Sequence, residues 1–171
     1  MADSSRMRIV EFTAEHRPWA TEVLKEYWGS TQVVTRGRIH DAADLPGFIA
    51  LLDEDPAGLL TYHISDLDCE IVSLNSLTAG RGIGRGLLEE VNKKAAALGC
   101  QRILLITTND NLAAMRFYQK RGFRFAAIHV NALEETRRLK PELSLIGLDE
   151  IPLRDEIELE MSLIDDAKLV P

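Results

Sequence analysis

An α/β (α+β) domain, built on a mixed and mostly antiparallel sheet of about seven strands with helices on both faces, is the fold class the sequence predicts. Three observations carry this expectation. Strand-period and helix-period segments interleave in the order strand, helix, three-strand meander, helix, strand, helix, strand, strand. The run RILLITT, residues 102–108, is almost uninterruptedly apolar, which suits a central strand covered on both faces. The segment RDEIELEMSL, 154–163, alternates Ile157, Leu159, Met161 and Leu163 with Glu156, Glu158 and Glu160, which predicts a strand with one buried and one wet face.

The bulk properties bound the function. A chain of 171 residues fits a single domain over 1–171 and can bury roughly two-thirds of its unfolded surface. Hydrophobic residues make up 46%, yet no apolar run approaches the roughly 18 residues a membrane span needs, so no membrane association is expected. Acidic residues outnumber basic ones 27 to 20, a balance that argues against nonspecific nucleic-acid binding. The N-terminal MADSSRMRIVEF lacks a secretory apolar stretch, so the cytoplasm is the expected location. Cys69 and Cys100 have no CxxC spacing, which points to buried thiols and to neither a disulfide framework nor a metal site.

Along the chain, RMRIVEFT reads as a strand and AEHRPWATEVLKEYW as an amphipathic helix with Trp19, Val23, Leu24 and Tyr27 at helical spacing. GSTQVVTRGRIHDAADLPG reads as a turn-rich loop. FIALLDE and LLTYHISD form a hairpin around the turn DPAG, and CEIVSLNSL is a third strand running into a glycine loop. Leu87, Leu88, Val91, Ala95 and Leu98 then repeat at helical intervals until Gly99, placed to end the helix in a left-handed cap. After RILLITT, DNLAAMRFYQKR reads as a helix with Asp110 as N-cap and Gly122 as C-cap, followed by the strand FRFAAIHV. EETRRLKPE reads as a solvated helix.

The loop TAGRGIGRGLLEEV, 78–91, places bare backbone N–H groups at the positive end of a helix dipole, a setting for phosphate or pyrophosphate. A P-loop is excluded because no Gly-Lys pair occurs in the chain. A GxGxxG dinucleotide fingerprint fails because its third glycine falls on Leu87 or Glu89. Glycines that merely permit a sharp turn are the other reading. In the next helix Asn111, Ala114 and Tyr118 stand at i, i+3 and i+7 and share one face, which can line a cleft beside a ligand on the loop.

Together, GIGRGLL and NLAAMRFYQKRGF resemble the Gcn5-related N-acetyltransferase (GNAT) superfamily, with its Q/R-x-x-G-x-G/A loop and its N-x-x-A-x-x-F-Y-x-x-x-G-F helix. The second pattern is matched at Asn111, Ala114, Phe117, Tyr118, Gly122 and Phe123, and the resemblance covers roughly residues 6 to 130. Two registers fit the loop. Arg81, Gly84 and Gly86 match literally, while the leucine pair that follows favours Gly82 and Gly84, with Ala79 in the place of the usual Gln or Arg.

The resemblance implies acetyl-CoA as cosubstrate, no metal, and an acyl-CoA N-acyltransferase with parallel central strands that splay around the donor, here CEIVSLNSL and RILLITT. It implies an anion site on Gly80, Arg81, Gly82, Ile83, Gly84, Arg85 and Gly86, and an oxyanion-binding N–H near Leu74. Tyr118 resembles the tyrosine that protonates the departing sulfur, and also reads as a core aromatic. Asn111 resembles the asparagine that bonds the CoA arm, and also reads as a local cap. Glu70, in the EIV of its strand, is the candidate base; about 13 Å along the strand from Leu74, it would act through water, and it also reads as a solvated carboxylate.

Trp28, Arg36, Arg38 and His40 are the candidates for holding the acceptor, or else residues of a charged loop. The expected reaction is direct transfer to a primary amine of a small molecule in a ternary complex, with no cysteine nucleophile. A protein or peptide N-terminal acetyltransferase and a non-catalytic acyl-CoA-binding module are the competing readings. Homodimerisation is compatible with the family, and no residue specifies it.

Overall fold

A computed structural model describes residues 6–164; the ends of the expected 1–171 domain lie outside the described residues. The strands are β1 (Met7–Glu11), β2 (Gln32–Thr35), β3 (Arg38–Asp41), β4 (Gly47–Leu52), β5 (Asp55–Ser65), β6 (Asp68–Ser76), β7 (Arg102–Thr108), β8 (Arg124–His129) and β9 (Glu156–Ser162). The helices are α1 (Arg17–Trp28), α2 (Ile83–Ala97), α3 (Leu112–Gln119) and α4 (Ala132–Leu139), with 3₁₀ turns at Ala14–His16 and Leu148–Glu150. Seven strands form the main sheet in the order β1-β4-β5-β6-β7-β9-β8, and β6–β7 is its parallel pair. The expected fold class is the observed one.

Two apolar cores flank the sheet. Ile83, Leu87, Leu88, Val91 and Ala95 of α2 pack with Tyr118 of α3 and with Cys69, Ile71, Ile103, Leu105, Ile157 and Leu159 on one face. Ala20 and Leu24 of α1 pack with Val33, Ile49, Leu51, Leu59 and Val72 on the other. The expected left-handed cap is present at Gly99 (φ +80°), where the Cys100 N–H returns to the Ala95 carbonyl. Leu98, placed in the buried repeat by its spacing, is instead exposed because the helix is already ending there.

Four other expectations are corrected. The loop after α1 contains the β2–β3 hairpin, whose turn residues Arg36 and Gly37 both have positive φ (49° and 71°), the requirement of a tight type I′ connection. The β4–β5 turn is made by Asp53 and Glu54 (φ 49° and 72°), and the Pro-Ala-Gly sequence lies within β5 beside a register shift. The N-cap of α3 is Asn111, not Asp110. Glu156 is not on a wet face: it is 2% exposed, because α4 and the β2–β3 hairpin cover that end of β9.

Candidate active site

The parallel pairing of β6 and β7 runs only from Asp68↔Arg102 to Ile71↔Leu105, although β6 continues to Ser76 and β7 to Thr108. Past that point the strands part. A bulge contributes: Tyr62 faces Ile71 while Thr61 faces Ser73, leaving Val72 as the additional residue, and bulges bend and twist the strand that carries them. The gap is a cleft of about 80 Å³ lined by residues 71–74, residues 105–107, Asn111, Ala114, Tyr118 and Trp28. Leu74 and the predicted face of α3 therefore meet there. Both helices that follow the parting strands, α2 and α3, begin at this end of the sheet, the carboxyl end where α/β sheets bind ligands.

The four loop glycines have two different causes. Gly80 and Gly82 have φ of +73°, which suits a residue without Cβ, and Gly82 is the N-cap of α2. Gly84 and Gly86 answer a close approach instead. A Cβ on Gly84 would lie 2.9 Å from the Phe117 ring, and one on Gly86 would lie 2.9 Å from Met7. The favoured register, Gly82 and Gly84, thus takes one glycine of each kind. No side chain caps α2, and its first internal bond is Gly86 N–H to Gly82 O, so the N–H groups of 83–85 are left for a ligand at the positive end of the helix. Ile83 is buried and offers its backbone alone, while Arg85 pairs with Glu89 one turn along at 2.8 Å.

On α3, Asn111 Oδ1 accepts the Ala114 N–H at 3.1 Å, so the local cap is real, and the same residue lines the cleft. Tyr118 is 7% exposed, held edge-on between Phe117 and Phe123 with ring centroids 5.0 and 5.3 Å away. Burial raises its phenol pKa above the ordinary value, which keeps the hydroxyl protonated.

A second space adjoins the cleft. This chamber of about 290 Å³ lies between α1, β2, the end of β7, α4 and the start of β9. Trp28, Ile106, Thr107 and Asn111 line both spaces and form their common border. The Trp28 indole N–H donates to Asn75 Oδ1 at 3.0 Å, fixing the ring over the border. Glu156 lies in the chamber wall. Its Oε2 accepts the Arg36 backbone N–H at 3.1 Å, its Oε1 lies 3.4 Å from Thr136 Oγ1, and burial raises its pKa.

Of the sequence candidates for the acceptor side, Trp28 alone lines this chamber. Glu70, Arg36 and Arg38 line a third recess of about 200 Å³, which shares Thr35 and Ile106 with the chamber. Glu70 Oε1 accepts the Thr35 hydroxyl at 2.7 Å, so the carboxylate fastens the β2–β3 hairpin to β6 and is not brought into the cleft. His40 is buried, its Nε2 lies 3.8 Å from Glu70 Oε2, and burial lowers its pKa, so the ring is neutral near pH 7. The Arg36 guanidinium lies against His129 and Glu158. Sequence alone does not single out Asn75, Thr136 and Glu156, since each becomes a site residue only through contact with a segment 20 to 120 residues away. Both cysteines are free and buried, and burial pushes the Cys69 thiol up to about 12, which removes it as a nucleophile. Among the described residues no helix is long and apolar enough to cross a membrane, and no cluster of metal-ligating side chains occurs.

Known proteins share this sequence and this fold. A family model described as acetyltransferase (GNAT) family matches residues 9–123. The uncharacterized protein YdhI of Bacillus subtilis (strain 168) is 45% identical over 138 residues, covering 80% of this chain and 86% of YdhI. The uncharacterized protein YxbD of the same organism is 38% identical over 154 residues, covering 90% of this chain and 97% of YxbD. In fold, the chain is similar to a GNAT family acetyltransferase from Elizabethkingia anophelis solved with acetyl-CoA bound, at TM-score 0.68 and 21% identity, covering 91% of this chain and 97% of that one. The parted strands, the uncapped glycine-loop helix and the Asn111–Tyr118 face thus sit in a protein that belongs to the acetyltransferase (GNAT) family.

Proposed function

We propose that the protein moves the acetyl group of acetyl-CoA onto a primary amine of a small molecule, by direct attack in a ternary complex. The observation that carries this reading is the parting of β6 and β7 beyond Ile71↔Leu105, which opens a cleft joined to the chamber behind Trp28. On this reading the donor's pyrophosphate takes the free N–H groups at the start of α2. Its nucleotide end has a recess of about 440 Å³ available between α2 and the turn after α3, whose lining includes Arg85, Lys120 and Arg121. The donor is a cytoplasmic metabolite, and we place the activity there.

The chemistry follows from the side chains around the cleft. The amine nitrogen attacks the thioester carbonyl carbon, and the charge that develops on its oxygen falls to main-chain N–H groups of β6 near Leu74, which have no strand partner on that side. The carbon–sulfur bond then breaks, the nitrogen loses one proton to water, and Tyr118, kept protonated by burial, gives its proton to the sulfur and is reprotonated from solvent. Glu70 accepts the Thr35 hydroxyl and lines the recess beside the chamber, a placement that supports holding the hairpin and leaves water to carry the amine's proton. A chamber of about 290 Å³ walled by α4, Leu143 and Leu153 supports a small acceptor over the peptide reading, which needs a long groove.

Calorimetry with acetyl-CoA and with CoA tests the donor assignment. Binding at micromolar level is expected, and its absence overturns the reading. Initial rates against both substrates should give intersecting lines; parallel lines would exclude direct attack. Donor binding without turnover across a broad amine panel would instead favour the non-catalytic module.

A further inference from the structure

Glu156 is a charged side chain almost wholly buried beside a small, mostly apolar space, and the mechanism above leaves it without a role. Its surroundings are specific. Arg36 N–H reaches one oxygen and the Thr136 hydroxyl lies near the other, which leaves about two of the carboxylate's four lone-pair sites without a donor among the described residues. Trp28, Val34, Ile106, Leu133, Leu143 and Leu153 supply apolar walls. The other charged chamber residues are Asp110 and Lys140. Asp110 is satisfied by the Thr108 hydroxyl and the Leu148 N–H, and Lys140 donates to the Gln32 carbonyl at 3.0 Å. With two carboxylates and one ammonium, the lining has a net charge of one negative.

Position completes the argument. Glu156 is the register partner of Thr108, next to Thr107 on the border with the cleft, whereas Glu70 is the partner of Leu104, before the strands part. A group held at Glu156 is therefore in the chamber, one register position from the Thr107 border with the cleft.

We propose that the chamber is the acceptor site for a compact monocationic amine with an apolar body, such as an arylalkylamine, and that Glu156 receives its ammonium. This rests on the acetyltransferase reading for the reaction, but not for the binding. In the reaction the ammonium yields one proton to the Glu156 carboxylate. The free amine forms the carbon–nitrogen bond as the carbon–sulfur bond breaks, and the sulfur takes the Tyr118 proton. One of the two protons still on nitrogen leaves to solvent and the other stays as the amide N–H, after which solvent reprotonates Tyr118 and takes the proton from Glu156. The raised pKa of Glu156 agrees with a carboxylate able to hold that proton. The Arg36 N–H and the Thr136 hydroxyl oppose the rise, as do the basic side chains of His129 and Arg36 nearby.

The test uses the full-length protein and phenethylamine, with phenethyl alcohol as the neutral match. Calorimetry on donor-free protein should show that the wild type binds the amine more tightly than the alcohol by tenfold or more. Glu156→Gln should erase the difference and Glu156→Asp should keep part of it. In turnover, Glu156→Gln should lower kcat/KM for phenethylamine by tenfold or more and leave acetyl-CoA affinity unchanged. Arylalkylamines should exceed spermidine, free amino acids and an alanyl peptide as acceptors.

Should Glu156→Gln fail to fold by circular dichroism, Val34→Trp, which fills the chamber from the hairpin, should abolish amine binding while acetyl-CoA still binds. Equal binding of amine and alcohol by the wild type, an unchanged Glu156→Gln, amine binding undiminished in Val34→Trp, or preference for peptides or amino acids overturns the proposal. Failure of acetyl-CoA to bind overturns the acetyltransferase reading, while the donor-free amine measurement still decides whether the chamber binds the amine.

Discussion

The two sides of the cleft are built in different ways. The donor side comes from one continuous stretch, β6 through α3, and works through backbone N–H groups, helix ends and a phenol held between aromatic neighbours. The acceptor side is assembled from distant pieces: Arg36 meets Glu156 across 120 residues, Lys140 meets Gln32 across 108, and Trp28 meets Asn75 across 47. A side made of main chain and close packing serves any acceptor. A side made of individual side chains can change its ligand while the fold stays the same. Donor-side substitutions should therefore alter the reaction with every amine, and acceptor-side substitutions should alter the choice among amines.

The hardest test of that division is Tyr118→Phe. Loss of a positioned acid costs about 10²–10⁴-fold in rate, so turnover should fall by at least the lower figure with every acceptor, while acetyl-CoA affinity in calorimetry stays unchanged. Unchanged turnover would return Tyr118 to the role of a core aromatic. A second donor-side change probes packing. In Gly84→Val the added atoms meet the Phe117 ring, which carries Arg121 stacked 3.7 Å from its centroid. Overpacking of this kind should lower stability by about 1–3 kcal/mol in urea unfolding. Adding Phe117→Leu should recover part of the loss, and strictly additive effects would show that the two residues are not coupled.

What is legible in the sequence follows the same division. Gly80 and Gly82 are dictated by local backbone geometry and Gly84 and Gly86 by close packing, and together with the residue types at 111, 114, 118, 122 and 123 their spacing discloses the donor side and the family. The hairpin at 32–41 reads as a loop in the sequence because its short strands pair with each other and not with the main sheet. Glu156 reads as solvated because alternation along a strand tells which residues share a face but not what later covers that face. Glu70 is offered as a base by the family resemblance of its strand, and its bond to Thr35, 35 residues earlier, is visible only in the fold. Even within the donor motif the cap falls to Asn111, since Asp110 turns to the Leu148 N–H, a contact 38 residues ahead.

A buried carboxylic acid on the acceptor side has a consequence for stability at lower pH than the buried phenol of the donor side. Because burial raises its folded pKa above the unfolded value, Glu156 binds its proton more tightly when folded. Its contribution to stability is full below the ordinary carboxylate pKa and is lost as pH rises through the raised value. The stability of wild type minus that of Glu156→Gln should therefore fall with rising pH in donor-free protein, and phenethylamine should reverse part of the fall. A difference that stays flat or rises would mean that Arg36, Thr136 and His129 outweigh burial.

The smallest expected effect lies at the border, where Asn111 belongs to both sides. Its Oδ1 caps α3 through Ala114 N–H, and its side chain also lines the cleft and the chamber. Ala at an N-cap costs about 1 kcal/mol, whereas Ser caps nearly as well as Asn but has no amide N–H to offer a ligand. Asn111→Ala should therefore lose both the cap and any donor contact, and Asn111→Ser should lose the contact alone. If Asn111 bonds the CoA arm, Asn111→Ser keeps wild-type stability while its KM for acetyl-CoA rises as far as that of Asn111→Ala. If the cap is its whole role, Asn111→Ser behaves as wild type in both measurements, and the donor side ends at Ala114 and Tyr118.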